Sequence, residues 1–171
     1  MWKFLCPKQY ERDIYGIDLQ DLKGRGIKGL ILDLDNTLVP WNDHAVYPEV
    51  RAWIRTLKEA GFRACIVSNN DARRGKKIME ILEIPAFWRA VKPRRRTFRK
   101  AVAAMELWPS EVAVVGDQVF TDILGGNRLG LYTILVRPIN KREFWGTMCM
   151  RKVERVVLMN LKRKGYLQQP D

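Results

Sequence analysis

Residues 29–39, which read GLILDLDNTLV, decide the fold of this chain. A short apolar run after the glycine predicts a buried strand in the middle of a parallel sheet. Asp33 and Asp35 come next, and in extended backbone their side chains point to one side because side-chain direction alternates. Ligands bind beyond the carboxyl ends of such strands, so the two carboxylates are predicted to face a ligand.

Two carboxylates on one side repel each other and need to be neutralised. A hard cation with oxygen ligands, such as Mg²⁺, would neutralise them. The alternative is a strand that simply ends in a polar turn, because Asp and Asn are common turn residues. The later segments of the chain favour the first interpretation.

Length and composition predict one globular domain with a strongly basic surface. The 171 residues are enough to bury a core, and 47% of them are hydrophobic. The chain has 31 Lys and Arg against 19 Asp and Glu, a net charge of +12. That charge favours an anionic partner: nucleic acid, anionic lipid or a phosphorylated substrate. We expect an N-terminal arm (1–28), a catalytic core (29–136) and a basic C-terminal helix (137–171).

The sequence further predicts a cytoplasmic protein. Its three cysteines lack metal-ligand spacing, and Cys65 lies in an apolar run, as a buried thiol would. No apolar run approaches the length of about 18 residues that a membrane span needs. The N-terminal segment is too short and interrupted for a secretory signal.

Two later strands also end in polar residues. Residues 62–67 predict a strand that ends at Ser68, whose hydroxyl could donate to a phosphoryl oxygen or could cap the helix predicted at 72–82. Residues 111–115 predict a strand followed by Gly116, where the backbone can turn sharply. Asp117 and Asp122 follow, and two acids placed in this way could complete a metal site.

Lys92 and Pro93 follow a short strand predicted at 85–91. Pro93 suits the first turn of the next helix. The Lys92 ammonium could reach the same pocket as the carboxylates. Alternatively it is one more charge in a basic run that continues with Arg94, Arg95, Arg96, Arg99 and Lys100.

Both ends of the chain carry apolar and basic residues outside these motifs. Trp2 and Phe4 belong either to short helical turns that cover the sheet or to an aromatic foot at a membrane interface. Residues 143–164 predict a basic helix with Val153, Val156 and Val157 near one face. This helix either covers the sheet or lies on an anionic membrane.

Four motifs follow one another between Asp33 and Asp122: strand-Asp-x-Asp, strand-Ser, Lys-Pro and strand-Gly-Asp-x-x-x-x-Asp. In this order they resemble the signature motifs of the haloacid dehalogenase (HAD) superfamily. The resemblance implies an α/β fold, a doubly wound, Rossmann-like parallel sheet with helices on both faces. It also implies a phosphatase, because the second aspartate, Asp35, is often missing from members that release a halide or stop at the aspartyl-phosphate.

The resemblance also implies roles for individual residues. Asp33 would be the nucleophile that forms an aspartyl-phosphate, and Asp35 the general acid and base. Ser68 and Lys92 would hold the transferring phosphoryl oxygens. Substrate binding would involve Asn36, Thr37, Ser68, Asn69 and Lys92. The cofactor would be Mg²⁺, held by Asp33, the backbone carbonyl of Asp35, Asp117 and Asp122.

Neither usual insertion point is long enough for a cap domain. Residues 40–44 predict only a turn-rich flap, in which His44 is either a solvated loop residue or a catalytic one. Residues 68–92 hold one helix and one short strand. An open site suits a large substrate that covers it, such as a protein, a nucleic acid or a lipid head group, because water must be excluded.

Within that superfamily, the chain resembles a cap-less branch (subfamily IIIA), the YqeG-type proteins related to phosphatidylglycerophosphate phosphatases. The segments that carry this resemblance are 33–39, 67–70, 92–93, 116–118, 121–122 and 125–128. It implies phosphatidylglycerophosphate as substrate. The basic charge of the chain, independently of the resemblance, favours peripheral contact with an anionic membrane. The alternatives are a phosphatase of nucleic-acid ends or phosphoproteins, and a basic nucleic-acid-binding domain without enzymatic activity.

Overall fold

A six-stranded parallel sheet forms the centre of the protein. The computed structural model describes residues 2–41, 45–140 and 145–167. The strands are β1 Gln9–Glu11, β2 Gly29–Leu32, β3 Arg63–Val67, β4 Ala86–Phe87, β5 Val112–Gly116 and β6 Tyr132–Val136. They lie in the order β1-β6-β5-β2-β3-β4, and every neighbouring pair is parallel.

Helices cover both faces of this sheet. They are α1 Leu19–Gly24, α2 Pro48–Glu59, α3 Ala72–Leu82, α4 Arg95–Ala104, α5 Leu124–Leu129 and α6 Trp145–Arg163. The predicted α/β fold with a doubly wound parallel sheet is therefore confirmed. Among the described residues there is no cap domain, since the chain from Ser68 to Lys92 forms only α3, β4 and their connections.

The buried strand β2 separates two hydrophobic clusters. Leu30 and Leu32 pack on one face with residues of α2 and α3, whereas Ile31 packs on the other face with Phe98 and Val102 of α4. A strand buried on both faces needs apolar side chains at every position, which explains the unbroken apolar run before Asp33.

A third cluster attaches α6 to strand β6 and to the turn after β5. Val157 and Leu161 of α6 pack with Leu135 of β6 and with Val119 and Ile123, which follow β5. The C-terminal helix therefore lies against the same segment that carries Asp117 and Asp122.

The order of strands places a crevice between β2 and β5. From β2 the chain runs to β3 and β4 on one side, and it then returns to β5 on the other side. Such a reversal opens a crevice at the carboxyl ends of the strands, where ligands of this kind of sheet bind. Asp33 follows β2 and Asp117 follows β5, so this crevice holds both.

The structure differs from the sequence-based expectations in three elements. The N-terminal arm contains strand β1, which pairs with β6, whereas the sequence predicts only helical turns there. The strand has three half-buried residues, which are too few to show the alternating pattern of a strand. Strand β4 has two residues, and α4 begins at Arg95, so Pro93 precedes the helix. In α6, Val157 is buried, whereas Val153 and Val156 are exposed.

Candidate active site

Three aspartates converge at the crevice. Asp33 follows β2, Asp117 follows β5, and Asp122 lies in a π-helical turn, Val119–Ile123. All three are buried, and each offers a carboxylate oxygen within 4.8 Å of the other two. Oxygen ligands at this spacing suit a hard divalent cation, so these residues fit a metal site. We call them the acid cluster.

Lys92 lies inside the acid cluster. Its Nζ donates to Asp33 Oδ1 in a close ion pair and to Asp122 Oδ1 at 2.7 Å. Burial lowers the pKa of Lys92, but the two carboxylates raise it by more, so the ammonium stays charged. Lys92 is only 8% exposed, and its interpretation as one more surface charge in a basic run is therefore wrong.

With all three of its carboxyls ionised, the acid cluster carries more negative charge than the neighbouring cations can neutralise. The pKa of Asp33 is raised to about 7, chiefly by burial, with Lys92 acting to lower it and Asp122 to raise it. Burial also raises the pKa of Asp117 well above its usual range, against the effect of Arg151. Three carboxylates face one lysine and one arginine here, and a bound cation would relieve the excess negative charge.

Gly116 makes room for Asp122. A Cβ atom at position 116 would lie 2.3 Å from Cγ of Asp122, so no larger residue fits while the carboxylate keeps its place. Asp122 Oδ2 accepts hydrogen bonds from the Gln118 backbone N–H at 3.3 Å and from Thr121 Oγ1 at 3.2 Å. The requirement for glycine comes from this close approach.

Asp35 contacts the loop after β3. Its Oδ2 accepts from Ser68 Oγ at 3.3 Å and from Asn70 Nδ2 at 2.7 Å. The backbone N–H of Asn70 donates to Ser68 Oγ, and that of Lys92 donates to Asn69 Oδ1 at 2.7 Å. Sequence reasoning missed Asn70 as a site residue, because in a Ser-Asn-Asn-Asp run before a helix any member can serve as the cap.

Thr37 and Asn36 occupy different positions. Thr37 Oγ1 lies 3.1 Å from Asp33 Oδ2 and 3.4 Å from Asp117 Oδ1, inside the acid cluster. Asn36 has a left-handed backbone (φ 61°), which asparagine tolerates better than most residues. Its Oδ1 accepts from the backbone N–H groups of Trp41 and Asn140 at 3.3 Å, so it also ties two loops together.

Part of this site lines a small polar pocket of about 180 Å³. Its lining comprises Asp33, Asp35, Asn36, Trp41, Asn69, Asn70, Lys92, Gln118 and Thr121. Trp41 belongs to the predicted flap and lines this pocket. Sequence reasoning missed it, because a turn-rich segment has no regular period from which the direction of its side chains could be predicted. Residues 42–44, with His44, lie outside the described residues.

One further contact comes from far along the chain. Arg151 of α6 donates through Nη1 to the backbone carbonyl of Asp117 at 2.5 Å, and its Nη2 forms a close ion pair with Asp117 Oδ2. Sequence reasoning missed Arg151, because it is one of several basic residues on a helix and carries no motif of its own.

The chain matches a family model and a full-length relative. The model of the haloacid dehalogenase-like hydrolases matches residues 40–130. The probable phosphatase YqeG of Bacillus subtilis is 45% identical over 166 residues, which cover 97% of this chain and 96% of that protein.

Two more distant comparisons concern a lipid phosphatase and a solved structure. The chloroplastic/mitochondrial phosphatidylglycerophosphate phosphatase 1 of Arabidopsis thaliana is 31% identical over 94% of this chain, which spans about half (48%) of that protein. The cobalt-bound deoxy-D-mannose-octulosonate 8-phosphate phosphatase of Haemophilus influenzae has the same fold, with a TM-score of 0.53 and 16% identity. The alignment covers 80% of this chain and 90% of that structure. The chain thus belongs to the haloacid dehalogenase-like hydrolases, as a phosphatase of that family.

Proposed function

We propose that this protein is a Mg²⁺-dependent phosphomonoesterase that acts through an aspartyl-phosphate on Asp33. The observation that carries the proposal is the arrangement of carboxylates. Asp33 shares the acid cluster with Lys92, while Asp35 is held apart on Ser68 and Asn70. This separation supports nucleophilic attack by Asp33 and proton transfer by Asp35.

Two displacements at phosphorus complete the reaction. In the first, a carboxylate oxygen of Asp33 attacks the phosphorus, the bond to the leaving oxygen breaks, and the Asp35 carboxyl gives its proton to that oxygen. In the second, the Asp35 carboxylate takes a proton from water as the water oxygen attacks the phosphorus. Inorganic phosphate leaves, and the Asp33 carboxylate is restored.

The other predicted site residues bind and orient the phosphoryl group. Ser68 and Lys92 would hold its oxygens, with Asn36, Thr37 and Asn69 nearby. Asp33, Asp117 and Asp122, with the backbone carbonyl of Asp35, would hold Mg²⁺, since an all-oxygen donor set suits that ion. When bound, the ion would offset negative charge on the phosphoryl group and the carboxylates.

A phosphorylated lipid, phosphatidylglycerophosphate, is the proposed substrate. The name of the Arabidopsis relative supports it. The pocket supports it as well, because about 180 Å³ of polar space suits a phosphoryl group, and the rest of a large substrate would lie outside. Without a cap, the substrate or the surface that presents it would have to exclude water.

A membrane surface is the proposed place of reaction. None of the helices in the described ranges has the length and hydropathy to cross a bilayer. Helix α6 instead exposes apolar side chains among basic ones: Met150, Val153, Val156 and Met159 are 46–53% exposed, and Lys152, Arg155, Lys162 and Arg163 lie between and beyond them. Such a helix can rest in the interface of an anionic membrane.

The chemistry is tested with a generic aryl phosphate. We expect turnover that requires Mg²⁺ and disappears with a chelator. Replacing Asp33→Asn should reduce turnover ~10³-fold or more, because an amide cannot serve as the nucleophile. Circular dichroism on the same preparation shows whether the variant is folded. Full turnover by a folded, clean Asp33→Asn preparation would refute the assigned nucleophile.

The substrate is tested separately. Phosphatidylglycerophosphate in anionic vesicles is compared with a 5′-phosphorylated oligonucleotide and a phosphopeptide at equal concentration. We expect a clear preference in kcat/KM for the lipid. A preference for the oligonucleotide, together with tight nucleic-acid binding and no vesicle binding, would replace the lipid proposal with a nucleic-acid phosphatase.

A further inference from the structure

Helix α6 contacts the loop that carries Asp117 through two residues one turn apart, Arg151 and Glu154. Arg151 bonds both the backbone carbonyl and the Oδ2 atom of Asp117. Its Nη1 also donates to Glu154 Oε2 at 3.0 Å. Two hydrogen bonds from one planar guanidinium to one residue fix that residue's orientation better than a point charge would.

Glu154 holds the residues that follow Asp117 in the loop, and we call Arg151 and Glu154 together the clamp. It is 3% exposed, and its Oε1 accepts from the backbone N–H of Phe120 at 3.2 Å. Burial raises the pKa of Glu154, while Arg151 and the Phe120 N–H favour its charged form. Arg151 and Glu154 thus form hydrogen bonds with the two ends of the segment from Asp117 to Phe120.

The clamp leaves one oxygen of Asp117 facing the acid cluster. Thr37 Oγ1 lies within 3.4 Å of both Asp117 Oδ1 and Asp33 Oδ2, so Oδ1 is on the side of Asp33. Oδ2 is the atom that Arg151 holds. A carboxylate held at one oxygen presents the other in a fixed direction, as outer partners of metal ligands commonly do.

We propose that Arg151, oriented by Glu154, is a positioning residue for the metal ligand Asp117, which makes the C-terminal helix part of the metal site. The inference rests on the proposed function in one respect, that Asp117 ligates a divalent cation. It differs from a simple charge effect. A guanidinium that only repelled or replaced the cation would weaken metal binding, whereas a positioning residue strengthens it.

Two substitutions at position 151 separate these effects. Arg151→Met removes charge and hydrogen bonds, and Arg151→Lys keeps the charge but loses the two-point contact. We expect both variants to bind Mg²⁺ ~10-fold or more weakly than the wild type, the usual effect of losing such an outer partner. Affinity is measured by calorimetry on chelator-stripped protein, independently of turnover.

Two further variants serve as controls. Arg155→Met removes an exposed arginine one turn along the same helix and should leave Mg²⁺ affinity unchanged. Glu154→Gln keeps an acceptor for the Phe120 N–H but weakens the hold on Arg151, so its affinity should fall between those of wild type and Arg151→Met. It also provides the test if Arg151→Met does not fold, which melting in the presence of chelator reveals.

Each result decides the inference. Weaker Mg²⁺ binding by Arg151→Lys and Glu154→Gln, with Arg155→Met unchanged, supports it. The inference is overturned if both Arg151 variants bind Mg²⁺ as tightly as the wild type. It is also overturned if Arg151→Met binds Mg²⁺ more tightly than the wild type while Arg151→Lys binds it with wild-type affinity. A wild-type protein that turns over aryl phosphate without binding Mg²⁺ would instead refute the metal in the proposed function, and the inference with it.

Discussion

A single methyl group added at Gly116 should displace Asp122. In Gly116→Ala the new Cβ would lie 2.3 Å from Cγ, 2.4 Å from Oδ2 and 2.6 Å from Cβ of Asp122. Ordinary contact begins at 3.4 Å, so the carboxylate must retreat by about 1 Å. Asp122 cannot swing aside freely, because it is buried and bonded to Lys92, the Gln118 N–H and Thr121.

A displacement of that size should be costly for the reaction. Misplacing a reacting or orienting group by about 1 Å can reduce the rate ~100-fold, which corresponds to about 2.7 kcal/mol of transition-state stabilisation. We therefore expect kcat/KM for an aryl phosphate to fall ~100-fold and the affinity for Mg²⁺ to weaken. Steady-state kinetics and calorimetry on the folded variant measure the two effects.

Two alanine substitutions control for general damage. Gly126→Ala would place a Cβ 2.4 Å from Val114 Cγ1 in the core, so it should lower the melting temperature while folded molecules keep their activity. Gly24→Ala at the end of α1 meets nothing within 4 Å and should change neither property. A folded Gly116→Ala enzyme with wild-type kcat/KM would refute the reasoning that Gly116 is needed for the placement of Asp122.

Three further predictions concern Asp35, Lys92 and the three consecutive arginines that follow Pro93. Asp35→Asn should slow both displacements yet keep Mg²⁺ affinity in calorimetry, since its carboxylate contacts Ser68 and Asn70; loss of that affinity would contradict the division of roles. Lys92→Met leaves the buried carboxylates of Asp33 and Asp122 without their shared ammonium. The free energy of unfolding, measured by urea denaturation in the presence of chelator, should therefore fall by about 3–5 kcal/mol. An unchanged urea midpoint would count against this ion pairing. Replacing Arg94, Arg95 and Arg96 together by alanine should weaken binding to anionic vesicles in co-sedimentation and leave aryl phosphate turnover unchanged. The expected loss of binding free energy is about 1 kcal/mol for each of these residues that lies near the membrane surface. Equal co-sedimentation of variant and wild type would exclude these arginines as membrane contacts.

Local patterns in the sequence determined the central elements of this protein. The apolar run before Asp33 predicted a buried central strand, and β2 is buried at every position. Val50, Trp53, Ile54 and Leu57 recur at helical spacing in the sequence, which predicts a helix with one buried face, and all four are buried in α2. Both predictions succeeded because strand and helix periods are properties of neighbouring residues, which the sequence displays directly.

Tertiary structure alone decided which of several similar residues enter the site. Lys92 and Arg94 belong to one basic run, yet Lys92 is buried between Asp33 and Asp122, while Arg94 is exposed. Arg151 is 34 positions from Asp117 and reaches it only because α6 packs against β6 and the turn after β5. Charge and residue type do not encode such proximity; the packing of distant segments against one another creates it.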